Sequence, residues 1–346
     1  MNLHLDRDVF KQFINKISSE TNIAMDILEK DYYVCCILQE LSKKQDELQA
    51  YFKGGTAIYK ILDAMNRFSE DIDLTVKIND KLNNTQKKKS FERTAFGYNV
   101  EGLTLNKEKS IKYGKSEIAF YDYETVFDID TVPLQRAGEI QIESTSFTVS
   151  EPIEDAIIEP IIYKYASDSE KKTLKENFEV EPIKIKIIKL ERLFIDKVFA
   201  AEFYYTRKEY TDTSKHIYDL SVLINNDKIK ELFNNEQEIK RLVGYKREEE
   251  KIRTDGVKED IKIKDFSYLK CNFNVEFLDK FMNMQDKYII SEKYKINMDQ
   301  IKNALQIISE KFSELDIWLV INNGGIFENL TVFSKIPLII FIRLFF

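Results

Sequence analysis

Apolar positions in the first fifty residues recur at helical spacing. Val9, Phe10, Phe13, Ile14 and Ile17 mark one helix, and Ile27, Leu28, Tyr32, Val34, Cys35, Ile37 and Leu38 mark a second. The join falls between Thr21 and Asp26. The pattern then shortens. Ala50 to Lys53 reads as a strand stopped by Gly54-Gly55, and Thr56 to Met65 as a helix with Ile58, Ile61, Leu62 and Met65 on one face. Asp71 to Val76 alternates polar and apolar, the spacing of a strand. Residues 77–110 are polar, and Lys115–Asp122, Thr125–Thr131 and Glu139–Thr148 are predicted strands.

From residue 156 onward the helical signal dominates. Ile188, Leu190, Leu193, Phe194, Val198 and Ala201 predict one long helix, and Ile217, Leu220, Leu223 and Ile224 another. Residues 244–262 have almost no apolar content and read as an exposed loop or linker. Two more helices are predicted near Val275–Met284 and Met298–Phe312. The fold class is therefore α+β. A mixed sheet with flanking helices occupies residues 1–155, and a mostly helical domain occupies 156–346 and completes the cleft. The tail from Ile336 to Phe346 is apolar except for Arg343. It is far shorter than the roughly 20 residues a membrane helix needs, so a buried terminal segment or an artefact of the reading frame near Gly324-Gly325 is expected instead of an anchor.

Composition narrows the classes. In 346 residues, 52 Lys plus Arg against 59 Asp plus Glu give a net charge of −7, which argues against sequence-independent coating of DNA but leaves room for a local basic groove. With 43% hydrophobic and 32% charged residues the chain is globular, not disordered. Three cysteines are too few for a disulfide framework, and the two histidines, His4 and His216, cannot make a multi-histidine zinc site. No apolar run follows the N-terminus, so a reduced cytoplasmic protein without a signal peptide is expected.

The candidate chemistry lies in Lys53-Gly54-Gly55-Thr56 followed by Ser69-Glu70-Asp71-Ile72-Asp73-Leu74. Side chains two apart on a strand share a face about 6.5–7 Å apart, so Asp71 and Asp73 point together. Two carboxylates at that spacing repel unless a cation intervenes, and Mg²⁺ accepts carboxylates alongside substrate phosphates. The glycine pair permits close approach of backbone to a triphosphate, and the helix that follows presents its amides. The hydroxyl of Ser69 is placed to meet the terminal phosphate. A second constellation spans Asp196-Lys197 and Lys215-His216-Ile217-Tyr218-Asp219. Lys197 and Asp219 both sit in apolar runs, which fits either functional groups or a buried ion pair between them.

These segments together resemble the nucleotidyltransferase superfamily, and within it the AbiEii/AbiGii toxins of bacterial abortive-infection toxin–antitoxin pairs. The resemblance is carried by Glu29-Lys30-Asp31-Tyr32-Tyr33, Gly54-Gly55-Thr56, Ser69-x-Asp71-x-Asp73-Leu74, Ile140-Gln141-Ile142-Glu143, Asp196-Lys197 and Tyr218-Asp219-Leu220. It implies a nucleotidyltransferase-like sheet. Gly54, Gly55, Thr56, Ser69 and Lys197 would hold the nucleotide, with Asp71 and Asp73 on Mg²⁺ and Glu143 as a weaker third metal ligand. The strand-like Phe127-Asp128-Ile129-Asp130 competes for that third place. Asp71, Asp73, Lys197 and Asp219 would be catalytic. Transfer would run from an NTP, such as GTP or a pyrimidine NTP, to RNA, in particular a tRNA 3′ end. A cognate antitoxin, often a winged-helix regulator, would neutralise the toxin. Lys87-Lys88-Lys89 with Arg93, and the Lys/Arg of 240–253, would supply phosphate contacts.

One departure stands out. Where the family has an Arg-Asp pair, this chain has Lys215-His216, so a module that binds nucleotide with little or no catalysis is a second reading. A small-molecule nucleotidyltransferase is a third. His216 itself is expected to be a satisfied surface residue.

Overall fold

The computed structural model describes residues 1–62, 67–127 and 137–323, with side chains as far as residue 315 in the last helix. Two helices open the chain, α1 (Arg7–Thr21) and α2 (Met25–Leu48), as the periodicity predicts. The Asp6 carboxylate caps α1 by accepting from the Val9 amide. Strand β1 (Ala50–Lys53) runs into α3 (Gly54–Ile61), which begins at the glycine pair itself and not after it. Strand β2 (Ile72–Val76) follows, then α4 (Asn84–Phe96), β3 (Leu103–Lys112), β4 (Ser116–Tyr123) and β5 (Glu139–Thr145).

The polar span 77–110 therefore hides two elements. Helix α4 is started by a capping box between Asn83 and Gln86 and buries only Phe91, Thr94 and Ala95. Strand β3 lies at the sheet edge, mostly exposed, so it has no apolar alternation to display. Residues 125–127 form no strand, and the remainder of that expected strand, with Asp128 and Asp130, lies outside the described residues.

Two strands appear where only helices were expected: β6 (Ile153–Ile158) and, after α5 (Ile161–Lys164) and α6 (Asp168–Phe178), β7 (Ile183–Ile188). Ile183, Ile185 and Ile187 are buried and alternate with Lys184 and Lys186, a period-two signal within a short segment between helices. The seven strands form one sheet in the order β3-β4-β5-β2-β1-β7-β6. Residue 155 thus falls inside β6.

The helices α7 (Leu190–Thr206), α8 (Tyr210–Leu223), α9 (Asp227–Phe233), α10 (Glu236–Ile252), α11 (Val275–Tyr288) and α12 (Met298–Asn323) complete the order. Helix α10 replaces the first part of the loop expected over 244–262. Asn235 caps it, and its polar half buries Lys246, Glu249 and Glu250. Glu249 pairs with Arg192 and Lys246 with Asp196 of α7, while Glu250 pairs with Lys246, an arrangement invisible to hydrophobic periodicity. The tail from Ile336 to Phe346 lies outside the described residues. No helix among the described residues is long and apolar enough to cross a membrane.

Candidate active site

Two carboxylates meet at the middle of the sheet. Strand β2 pairs antiparallel with β1 and parallel with β5, which sets Asp73 beside Lys53 on one side and beside Glu143 on the other. Asp73 lies against Gly54: a Cβ there would come 1.9 Å from Asp73 Oδ2, and the backbone φ of +81° also favours glycine. A Cβ at Gly55 would stand 2.8 Å from Ser69 Oγ and 3.1 Å from Arg67 Nη2. The glycine pair thus admits the side chains of the Ser69–Asp73 segment. Thr56 fastens that segment, its hydroxyl donating to the Asp71 carbonyl at 2.6 Å.

Burial pushes the Asp73 carboxyl up to about 7, and the neighbouring Glu143 and Asp71 push it in the same direction against the pull of Lys53 and Lys197. Carboxylates of Asp71, Asp73 and Glu143 are thus concentrated beside the cations Lys53 and Lys197. The donor set is all carboxylate oxygen, which suits a hard divalent ion. Among the described residues no three His, Cys, Asp or Glu side chains are already gathered as a metal cluster.

A second carboxylate has the opposite surroundings. Asp219, on α8, is fully buried. Arg67 grips it with Nε to Oδ1 at 2.9 Å and Nη2 to Oδ2 at 3.0 Å. Lys197 Nζ stands 2.9 Å from Oδ2, and the Tyr59 hydroxyl donates to Oδ1 at 2.5 Å. Burial alone would raise the Asp219 carboxyl, but the charges of Arg67 and Lys197 outweigh it and hold the group well below the usual carboxylate range. The ion pair between Lys197 and Asp219 that the sequence allowed is thus formed, within a larger cluster.

Between these groups lies a cavity of about 180 Å³, lined by Lys53, Gly54, Gly55 and Asp73 from the sheet side and by Asp196, Lys197 and His216 from the helices. Lys197 has three N–H donors and gives one to Asp219, so it faces the cavity with donors to spare. His216 is not the satisfied surface residue expected. Its Nδ1 is buried with no hydrogen-bond partner among the described residues, and its ring stacks on Tyr204 with centroids 5.2 Å apart. Burial, with Lys197 nearby, holds its pKa well below the ordinary value, so the ring is neutral. Ser69 instead borders a second hollow of about 290 Å³ on the other side of α3, next to Thr56, Tyr59 and Phe68.

Residues 36–288, well over half of the chain, match the family of nucleotidyl transferase AbiEii toxins of type IV toxin–antitoxin systems. The chain belongs to this family. No curated protein matches its sequence. Among solved structures, the chain is similar to the Mycobacterium tuberculosis H37Rv nucleotidyltransferase toxin MenT4, at 14% identity and a TM-score of 0.42 over 85% of this chain and 98% of that one. It is also similar to a protein from H. pylori described as a nucleotidyltransferase, at 15% identity and a TM-score of 0.32 over 85% of this chain and 99% of that one.

Within this AbiEii-family toxin, the structure brings Gly54, Gly55, Asp73 and Lys197 to one cavity, with Glu143 on the neighbouring strand and Asp71 at the head of β2. It gives Asp219 to Arg67, Lys197 and Tyr59. Sequence reasoning missed the partnership of Arg67 and the cavity position of Lys53. A signal existed for the first, since a lone buried carboxylate in an apolar helix demands a cation elsewhere. The Glu29-Lys30-Asp31 segment also proves structural. Glu29 accepts from the Val126 amide, Lys30 pairs with Glu70 at 2.9 Å, and Asp31 pairs with Lys60 while accepting from the Ile161 amide. The Lys30–Glu70 pair anchors α2 to the residue just before Asp71.

Proposed function

We propose that this toxin is an NTP-dependent and Mg²⁺-dependent nucleotidyltransferase that modifies RNA, with a tRNA 3′ end as the acceptor class, in the cytoplasm, and that a cognate antitoxin neutralises it. The observation that carries this reading is the crowding of carboxylates around Asp73, next to a glycine pair and the cations Lys53 and Lys197. Asp71 and Asp73 would hold Mg²⁺, with Glu143 third, and the ion would neutralise charge on the phosphates. The chain supplies the rest. Gly54 and Gly55 let Asp73 and Ser69 pack against the start of α3, whose first amides have no side-chain cap and would meet phosphate. Lys197 is oriented by Asp219 and Arg67, and offers its remaining donors to phosphate oxygen. An acceptor hydroxyl forms a new bond to the α-phosphorus, the bond to the β-phosphate oxygen breaks, and pyrophosphate leaves. Positioning and charge stabilisation carry the acceleration.

Asp219 is a positioning group in this scheme, since its oxygens are already taken by Arg67, Lys197 and Tyr59. The test is transfer of label from α-labelled NTPs to tRNA, with protein and small alcohols as competing acceptors. The reading predicts labelled tRNA that disappears in Asp71→Ala, and growth arrest on expression that disappears with it. Label retained at the parent rate in Asp71→Ala would reject it. Mg²⁺-dependent binding without transfer would establish the non-catalytic module instead.

A further inference from the structure

A third hollow lies away from the cavity beside Gly54. It measures about 490 Å³ and sits where α4 meets the β3–β4 turn. At its base is Glu117, only 3% exposed, and neither carboxylate oxygen takes a hydrogen bond within the described residues; Oε2 is wholly buried. Ser144, its partner across the β4–β5 ladder, has a buried hydroxyl with no partner either. Native proteins rarely leave such groups unsatisfied, because desolvation without a replacement bond is costly. Three lysines line the rim. Lys112 pairs with Glu92 at 3.1 Å, Lys87 reaches a fully exposed Asp80 at 3.4 Å, and Lys88 has no ion pair among the described residues. Phe91 supplies the apolar floor.

The run Lys87-Lys88-Lys89 therefore divides. Its first two members join this hollow, and Arg93, grouped with them on sequence, instead pairs with Glu47 at 2.6 Å. A buried carboxylate calls for N–H donors and a lysine rim calls for phosphate. Guanine is the base whose Watson–Crick edge presents two adjacent donors, the ring N1–H and the exocyclic amine, and unpaired RNA bases are commonly read on that edge. Burial and the charge of Glu92 lift the Glu117 carboxyl to about 7, so donors on a ligand relieve a real cost.

We propose that this hollow is a nucleotide-reading subsite in which Glu117 takes the Watson–Crick edge of a guanine and Lys87, Lys88 and Lys112 take its phosphate. The guanine comes from single-stranded RNA or from a free guanine nucleotide. The first source rests on the RNA-acceptor reading above.

The test is fluorescence anisotropy of labelled single-stranded RNA hexamers without NTP, comparing one guanosine with inosine at the same place, and with GMP as competitor. Inosine lacks the exocyclic amine and leaves the protein untouched. The subsite predicts that guanosine binds about 5- to 100-fold more tightly than inosine. Glu117→Gln, which keeps the shape, removes that preference. Lys88→Ala weakens both RNAs alike and lowers the salt dependence by about one charge. Strong binding of RNA with weak competition by GMP identifies the strand as the source, and GMP binding that depends on Glu117 identifies the free nucleotide. No guanosine preference, or one unchanged in Glu117→Gln, overturns the proposal. So does a higher thermal midpoint in Glu117→Gln with unaltered binding, which marks a carboxylate that merely holds water. Asp71→Ala goes through the same assay. Retained binding with lost transfer upholds both readings, whereas unchanged transfer sinks the catalytic one and leaves the binding result to stand or fall alone.

Discussion

Asp219 is fully buried and Asp73 half-buried at the edge of the cavity, and their surroundings are opposites. Around Asp219 the protein supplies two cations and a phenol, every contact is short, and the carboxyl stays ionised. Around Asp73 it supplies two further carboxylates, whose repulsion opposes the pull of Lys53 and Lys197. The first cluster sets two cations against one carboxylate, and both oxygens of Asp219 are engaged by protein groups. The second crowds groups of like sign, the kind of perturbation that clusters at functional sites. Burial of a charge alone does not tell the two apart; the sign of its neighbours does.

The sharpest way to break this comparison is to remove a cation from the Asp219 cluster. Arg67→Met leaves Asp219 and Lys197 buried with poor geometry, and is expected to cost about 3–5 kcal/mol, read as a lowered urea midpoint. A variant as stable as the parent would show that the cluster is not scaffold. Next is Asp71→Ala, expected to lower transfer by at least 10²–10³-fold with the thermal midpoint unchanged or higher. A smaller effect follows for Asp73→Asn, which removes one of several repelling charges. Its thermal midpoint should rise by a few degrees while transfer falls, a trade of stability against function. If the midpoint drops instead, the acidic cluster is compensated in solution.

The smallest expected effect is on pH dependence, at a carboxylate in neither cluster. Burial lifts the Glu29 carboxyl to about 7 despite its hydrogen bond from Val126. The folded state therefore holds that proton more tightly than the unfolded chain does. Stability is greatest below about pH 4.3 on this account and declines as pH rises toward 7. Glu29→Gln, which keeps the bond from Val126, should flatten that decline in urea titrations at pH 5 and pH 8. An unchanged slope would assign it to other groups.

Much of this was legible in the chain, for reasons that differ by element. Helices α1 and α2, strands β1 and β2 and the long helix α7 have apolar spacing that matches their periods. Helix α10 and strand β3 did not show, because one buries charge against charge and the other buries almost nothing. Strand β7 did carry alternation, but over six residues among helices. The meeting of Gly54 with Asp73 was readable because β1 and β2 are near in sequence and pair in one ladder, whereas Asp71 precedes β2 and Ser69 borders the other hollow. Arg67 and Lys53 were not, since their roles depend on partners distant in sequence or across a ladder. The hollow at Glu117 is assembled from α4, β3 and β4, so no contiguous motif announces it.

That long reach has a cost in time. Arg67 and Asp219 are 152 residues apart, and the pair that orients Lys197 exists only once both have left the ribosome. Loop closure over such a span is slow, and local contacts cannot stand in for it. A nascent chain that has emerged only through β2 already carries Asp71 and Asp73 but no finished cradle for them. A chain that ends before α8 thus has Arg67 and Lys197 but lacks the carboxylate that draws them together.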